Sequence, residues 1–327
     1  MLGLGIESTA HTFSCAIIEK KGKKGRILSD VRKIYRPAEG EGIHPREASR
    51  HHIENSPSVL SECLMDANTT IKDLDLISYA AGPGLGPCLR VGAVVARSLA
   101  SFYKIPIYPV NHAIGHIELG KLLTGATNPL VLLVSGGHTM LLAFLNKQWR
   151  VFGETLDITL GQLLDQFGRS IGFASPCGKN IEELASTSSN YIMLPYSVKG
   201  NDVSFSGLLS ATKSVVKQSK VDACYSLQET AFAMISEVVE RALSFTGKKE
   251  LMIVGGVAAN KRLSEMLQAV CKRHECKFFV VPIQYAGDCG SQICWTGLLE
   301  SQVKQGALLK DTLITQSWRL DSVKVDY

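Results

Sequence analysis

Residues 130–145 read LVLLVSGGHTMLLAFL: an apolar run, a small-residue turn at Ser135–Gly137, and a second apolar run. Apolar runs of this length, closed by glycine, predict two strands joined by a tight turn. Residues 2–18, LGLGIESTAHTFSCAII, have the same form. Both turns end in the same dipeptide, His11-Thr12 and His138-Thr139. Each hairpin is followed by alternating strand and helix patterns, which predicts an internal duplication. The fold class is therefore α/β, with two related halves, 1–128 and 129–327, around a cleft. The last stretch, about 289–327, is expected to pack back on the first half as a helix and a tail.

Outward from the hairpins, EKKGKKGR (Glu19–Arg26) reads as a solvated hairpin tip and residues 27–36 as a third strand. HPREASRHH (His44–His52) opens a helical stretch that is either solvated and partner-facing or functional. Residues 74–82 and 105–111 read as strands. Between them, Gly82, Gly84 and Gly86 open a helix; no Gly-Lys-Ser/Thr follows, so the loop is a tight turn or an anion site rather than a Walker loop. In the second half, residues 149–152 read as strand and 155–173 as helix, with Asp157 and Asp165 among its apolar positions. Helices are expected within 176–186, 203–216, 226–245 and 287–303. Residues 251–273 read as strand, Gly-Gly turn and helix, with Asn260 at the helix start.

Composition narrows the class. The 327 residues are 45% hydrophobic and 20% charged, ordinary for a globular enzyme, and the formal charge of +5 permits a nucleic-acid partner without demanding one. Nine cysteines include no C-x-x-C pair, which excludes a zinc ribbon and a thioredoxin-like motif. They read as buried free thiols of a reducing compartment. The N-terminus lacks the pattern of a signal peptide, and no window has 18 uninterrupted apolar residues, so a cytoplasmic location and no membrane partner are expected.

The chemistry concentrates in NHAIGHIE, Asn111–Glu118. On a helix, His112 and His116 stand one turn apart on one face and can share a metal ion. Asp288, in YAGDCG, can supply a third ligand, leaving coordination positions open to a substrate. Ala113 occupies the place of the glutamate in H-E-x-x-H, so a zincin-type protease has no general base here. Such an ion would grip substrate oxygens as a Lewis acid. The glycine turns suit phosphates, because clustered backbone N–H groups face the ligand without obstruction. A nucleotide is therefore expected in the cleft.

Together GIESTAHT, HPREASRHH, GPGLGPCLRVG, VNHAIGHIE, VSGGHT, FGETLDITLGQLLD, SGLL, VGGVAAN and YAGDCG, in this order from residue 5 to residue 290, resemble one family closely. It is the universal tRNA threonylcarbamoyladenosine-synthesis family: TsaD in bacteria and the catalytic subunit of the KEOPS complex in archaea and eukaryotes, formerly called O-sialoglycoprotein endopeptidases. GPCLRVG, HPREASRHH and the ending WRLDSVKVDY are more similar to the archaeal and eukaryotic branch. The resemblance implies an actin-like/Hsp70-like/sugar-kinase fold. It implies a metal-dependent acyltransferase that moves the threonylcarbamoyl group from threonylcarbamoyl-AMP to N6 of the adenosine next to the anticodon, in tRNAs reading ANN codons. The competing reading is an actin-like ATPase or sugar kinase without tRNA activity, which would have no use for His112 and His116.

By the same resemblance His112, His116 and Asp288 hold one iron or zinc ion, and magnesium accompanies bound nucleotide. Leu133, Val134, Ser135, Gly136 and Gly137 form the phosphate-side turn; Asp165, Gly178, Glu182 and Asn260 contact threonylcarbamoyl-AMP or ATP. Glu7 and His11 stand where bacterial members carry acidic residues and are the candidates to act at the reacting group. Two departures stand out. Leu133 occupies the place of a tyrosine that can join the metal in archaeal relatives, and the turn reads SGGHT where archaeal members often have SGGNT. The implied partners are tRNA, a small atypical kinase subunit and a dimer-forming subunit. Arg46, Arg50 and the Lys20–Arg26 run are candidates to hold RNA, and the helix surface around Glu54–Asp66 is a candidate docking face.

Overall fold

The computed structural model describes residues 1–38 and 41–327. In chain order its strands and helices are Leu2–Glu7 (β1), Thr12–Lys21 (β2), Lys24–Ile34 (β3), Pro45–Asp66 (α1), Leu76–Gly82 (β4), Gly86–Tyr103 (α2), Ile107–Asn111 (β5) and His112–Thr124 (α3). There follow Leu130–Val134 (β6), Thr139–Leu145 (β7), Gln148–Glu154 (β8), Leu160–Ser170 (α4), Gly178–Ala185 (α5), Val198–Lys199 (β9), Asp202–Val203 (β10), Ser206–Val215 (α6) and Lys220–Thr246 (α7). The chain continues through Glu250–Val254 (β11), Lys261–Arg273 (α8), Lys277–Val280 (β12), Ile283–Ala286 (α9) and Gly290–Glu300 (α10).

These elements form two compact units: Met1–Arg36 with Ile43–Leu123 and Asp288–Tyr327, and Pro37–Gly42 with Thr124–Gly287. The first holds a sheet in the order β3-β2-β1-β4-β5 and the second one in the order β12-β11-β6-β7-β8. Read from its other edge, the second order repeats the first. The pairing repeats too: antiparallel within β1–β2–β3 and β6–β7–β8, parallel within β1–β4–β5 and β6–β11–β12. The two hairpins thus begin two copies of one topology. All five residues of β6 and nearly all of β1 are buried, which is why both read as continuous apolar runs.

In the first unit α10 lies on β1 with almost no space between the backbones. A Cβ added to Gly5 would come within 2.3 Å of Cys294 N and Gly290 O, and one added to Gly290 within 2.5 Å of Ala16 N. The tail is anchored on the same unit: Thr315 N–H donates to Ala81 O at 2.8 Å, Gly84 N–H to Gln316 O at 3.0 Å, and Asn111 Nδ2 to Trp318 O at 3.1 Å. The Gly82–Gly86 loop is accordingly a tight turn against the chain itself, since a Cβ on Gly82 would meet Thr315 O at 1.9 Å. No helix among the described residues is long and apolar enough to cross a membrane.

Two helix starts in the second unit differ from the sequence reading, each because of a cap. Thr159, not residue 155, sets the start of α4: its hydroxyl accepts from Gln162 N at 3.1 Å and the Gln162 side chain accepts from Thr159 N, a reciprocal capping box. Ser219 caps α7, which begins ahead of residue 226, and Gly247 in a left-handed conformation ends it. Asp157 consequently lies in a turn. Its carboxylate accepts from Ser204 Oγ at 2.5 Å, Phe205 N at 2.8 Å and Ser206 N at 3.0 Å, and also from Ser206 Oγ, at the entry to α6.

Gly5→Ala should lower stability by about 1–3 kcal/mol or more, read as a drop in denaturant midpoint, because backbone atoms stand where the methyl must go. Asp157 carries a pH dependence. Partial burial opposes its charge, but the hydrogen bonds from Ser204 and Ser206 outweigh that and hold the carboxyl well below its usual range. A depressed carboxyl stabilises the fold above the unfolded value of about 4 and loses that contribution as pH falls through and below it. Asp157→Asn should therefore flatten the acid limb of a stability–pH profile; an unchanged limb would refute this.

Candidate metal centre

Strand β5 ends at Asn111, whose Oδ1 accepts from Ala113 N at 3.0 Å and Ile114 N at 3.2 Å. This cap starts α3 at His112 and puts His116 one turn on along a buried face. The two rings sit edge to face with centroids 4.7 Å apart. Asp288, just ahead of α10, brings Oδ1 to 3.5 Å from His112 Nε2 and 3.3 Å from His116 Nε2. One ligand atom from each of the three lies within 4.8 Å of the others, and all three residues belong to the first unit.

Behind His112 stands a second layer. Glu7 Oε2 accepts from His112 Nδ1 at 2.9 Å, and Glu7 Oε1 accepts from Thr9 N at 2.6 Å. Gln292 Nε2 lies 3.0 Å from the same ring nitrogen and donates to Glu7 Oε2 at 3.3 Å; Thr9 Oγ1 is 3.4 Å from it. A carboxylate on Nδ1 favours a proton there and turns Nε2 toward Asp288. His116 Nε2 is buried and has no hydrogen bond of acceptable geometry. A buried ring nitrogen without a hydrogen bond, aimed with a second one at a carboxylate, is the donor set a divalent ion satisfies.

Charge and burial compete at the three residues. Burial disfavours charge on His112, but Glu7 and Asp288 overcome it and raise its pKa to about 9. Burial dominates at His116, and its pKa is lowered. Burial opposes the charge on Asp288 as well, yet the two imidazoles hold its carboxyl far below the usual range. The site thus keeps an anionic ligand in a largely enclosed position.

Glu7 is fully buried and engaged with His112 and Thr9, whereas His11 is partly exposed. The structure also reveals a support for this turn. His52 is fully buried on α1, beside Phe13 with ring centroids 5.7 Å apart, and its Nε2–H donates to Ala10 O at 3.0 Å. His52, Gln292 and Thr9 were not expected around the site. The only sequence signal was the position of Thr9 and Ala10 inside the first hairpin turn. Gln292 gave none, since its partners lie far away in the chain.

In the second unit Ser135 Oγ accepts from Gly137 N at 3.2 Å and His138 N at 3.0 Å, which folds the turn on itself. A Cβ on Gly136 or Gly137 would meet nothing within 4 Å, so this backbone is open to a ligand. Leu133 and Val134 are core residues of β6. Asp165 accepts from Ser175 Oγ at 2.6 Å and Cys177 N at 2.7 Å. Gly178 is the first residue of α5, and Glu182 on that helix accepts from Lys261 N at 2.7 Å. Asn260 caps α8, accepting from Leu263 N at 3.0 Å, and its amide donates to Gln228 Oε1 at 3.0 Å.

Among solved structures the chain is similar to HypF of T. kodakarensis (TM-score 0.66, 14% identity, covering 92% of this chain and 47% of that one). It is also similar to an activator of 2-hydroxyisocaproyl-CoA dehydratase from Clostridium difficile (TM-score 0.54, 12% identity, 94% and 100%). The repeated topology and these likenesses define the actin-like/Hsp70-like/sugar-kinase fold. Residues 26–295 match the family TsaD, tRNA N6-adenosine threonylcarbamoyltransferase, and the chain belongs to that family. It is 44% identical to the tRNA N6-adenosine threonylcarbamoyltransferase of Caldivirga maquilingensis (100% of this chain, 98% of the relative) and 46% identical to that of Staphylothermus marinus (99% and 99%). It is 47% identical to a probable bifunctional tRNA threonylcarbamoyladenosine biosynthesis protein of Methanothermobacter thermautotrophicus; all of this chain aligns, but it spans only 61% of that relative.

Glu7→Gln should leave the chain folded yet reduce its affinity for zinc or cobalt about 10–100-fold, measured by competition with a chelator, because the carboxylate that orients His112 is lost. Asn260→Ala should cost about 1 kcal/mol in thermal or denaturant unfolding through the lost cap.

Proposed function

We propose that this chain transfers a threonylcarbamoyl group from threonylcarbamoyl-AMP to N6 of the adenosine next to the anticodon in tRNAs reading ANN codons. It does so in the cytoplasm, as the catalytic subunit of a KEOPS-type complex. What carries the reading is one conjunction: end-to-end similarity to tRNA N6-adenosine threonylcarbamoyltransferases, together with His112, His116 and Asp288 gathered in one enclosed site. A sugar kinase or free-standing ATPase gives those three residues nothing to do.

Two imidazoles and a carboxylate suit iron(II) or zinc, and the ion supplies Lewis acidity and a grip on substrate oxygens when bound. The remaining work belongs to the chain. Glu7, Thr9 and Gln292 fix the tautomer and tilt of His112. Phosphate oxygens lie against the Gly136–Gly137 backbone, which has open space around it, and Asp165, Gly178, Glu182 and Asn260 line the nucleotide side. The mixed carbamic-phosphoric anhydride is already activated, so the enzyme's task is to position it and the adenosine amine, with no covalent enzyme intermediate. An anticodon-loop base is unstacked more readily than one in a duplex.

RNA binding is shared with partners: a small atypical kinase subunit and a dimer-forming subunit. The net charge of +5 is modest, and Lys20–Arg26, Arg46 and Arg50 are dispersed in sequence. The surface of α1 exposes Ile53 at 61% and Met65 at 72%, which suits the dimer-forming partner. The nine free cysteines suit a reducing cytoplasm.

The decisive assay supplies threonylcarbamoyl-AMP and tRNA and quantifies modified adenosine, with and without partner subunits. Wild-type chain should act in the complex, and His112→Ala and His116→Ala should abolish transfer while the thermal transition persists. Full activity in these variants would overturn the assignment. The single chain should modify tRNA far more slowly than the complex at physiological salt, because few phosphate contacts make affinity fall steeply with salt; equal rates would remove the partner requirement.

A further inference from the structure

Away from the metal centre, two thiols meet at the end of α8. The helix closes through Glu275, which adopts a left-handed conformation with φ 50°. Cys276 N–H donates to Cys271 O at 2.9 Å, and inside that bond Glu275 N–H points to Lys272 O at 3.5 Å. A six-to-one bond around a left-handed residue is a Schellman turn, which brings the side chains at its two ends together. An apolar contact often joins those ends; here both are cysteines. Both line a groove of about 600 Å³ with Gln268, Lys272 and Phe278. Cys271 is buried, whereas Cys276, alone of the nine cysteines, is only half-buried.

We propose that Cys271 and Cys276 are a reversible disulfide site, oxidised by exchange with a small disulfide of the glutathione class. Cys276 attacks first, because solvent reaches it. Its thiolate displaces one small thiol from the oxidant and forms a mixed disulfide. Cys271, once deprotonated, attacks the Cys276 sulfur and displaces the second. Two cysteine thiols and one small disulfide become one intrachain disulfide and two small thiols; two electrons pass to the oxidant, and the two protons leave with the released thiols. A disulfide needs converging Cβ atoms on Cα atoms no more than about 7 Å apart, and the 2.9 Å bond from Cys276 N–H to Cys271 O holds the two backbones close. The bond would tie the end of α8 to the start of β12. Burial raises both thiols, Cys271 to about 12, so the exchange is slow.

The test uses the full chain, incubated with oxidised glutathione, alkylated, digested and mapped by mass spectrometry. The expected product has lost two hydrogens, carries one link between the Cys271 and Cys276 peptides, and reverts with dithiothreitol, while the other seven thiols stay alkylatable. Cys271→Ser should stop at a stable glutathione adduct on Cys276, and Cys276→Ser should give neither link nor adduct. A persistent adduct on wild-type Cys276, a link to another cysteine, or no loss of thiols would overturn the proposal. None of these outcomes bears on tRNA modification.

Discussion

The site depends on a contact with no room for a side chain. Gly5 in β1 and Gly290 at the head of α10 let a helix backbone lie directly on a strand, with atoms 2.3 Å from where a Cβ would stand. That contact fixes the height of α10 above the sheet. Asp288 sits two residues ahead of the helix, so the same contact sets where its carboxylate lies, 3.3 Å from His116. Gln292, on the first turn of α10, reaches Glu7 and His112 for the same reason.

Charge then completes what packing begins. Isolated in a low-dielectric interior, Glu7 and Asp288 would be strongly unfavourable, and so would two buried imidazoles. Placed together, the carboxylates raise His112 toward its charged form and the imidazoles keep Asp288 ionised, while burial still lowers His116. The arrangement holds ligand atoms ready and leaves His116 Nε2 without a hydrogen bond. Support extends outward through the first hairpin turn, where Thr9 binds Glu7 and buried His52 holds Ala10.

In the second unit the residues expected at a nucleotide also close its own loops. Asp165 receives the backbone entering α5, Glu182 receives the start of α8, and Asn260 caps that helix. Such residues are pre-organised by the fold and bring little conformational entropy to a binding event. The backbone of Gly136 and Gly137, by contrast, faces open space.

Much of this was legible in the sequence, wherever the signal is local. The apolar runs at residues 2–18 and 130–145, with their matching turns, announced a repeated α/β topology, and the four-residue spacing of His112 and His116 announced a shared helix face. Asn260 was recognisable as a helix start because capping is a property of neighbouring residues. The starts at residues 155 and 226 differ from the structure because the apolar residues Leu156 and Ile158 carry the pattern back past the Thr159 cap, while the Ser219 cap lies in a polar stretch without an apolar period. Glu7 read as a group for the reacting centre, and its buried place behind His112 was out of reach, since the two are 105 residues apart and meet only through the register of β1, β4 and β5. His52 stood in a helix whose exposed arginines suggested a solvated face, and only packing against Phe13 decided its burial. The sequence by itself determined which residues could bind a metal or a phosphate, because that is chemistry of side chains and turns. The tertiary structure alone decided which of them share a site, because that rests on contacts between segments whose separation along the chain leaves no local trace.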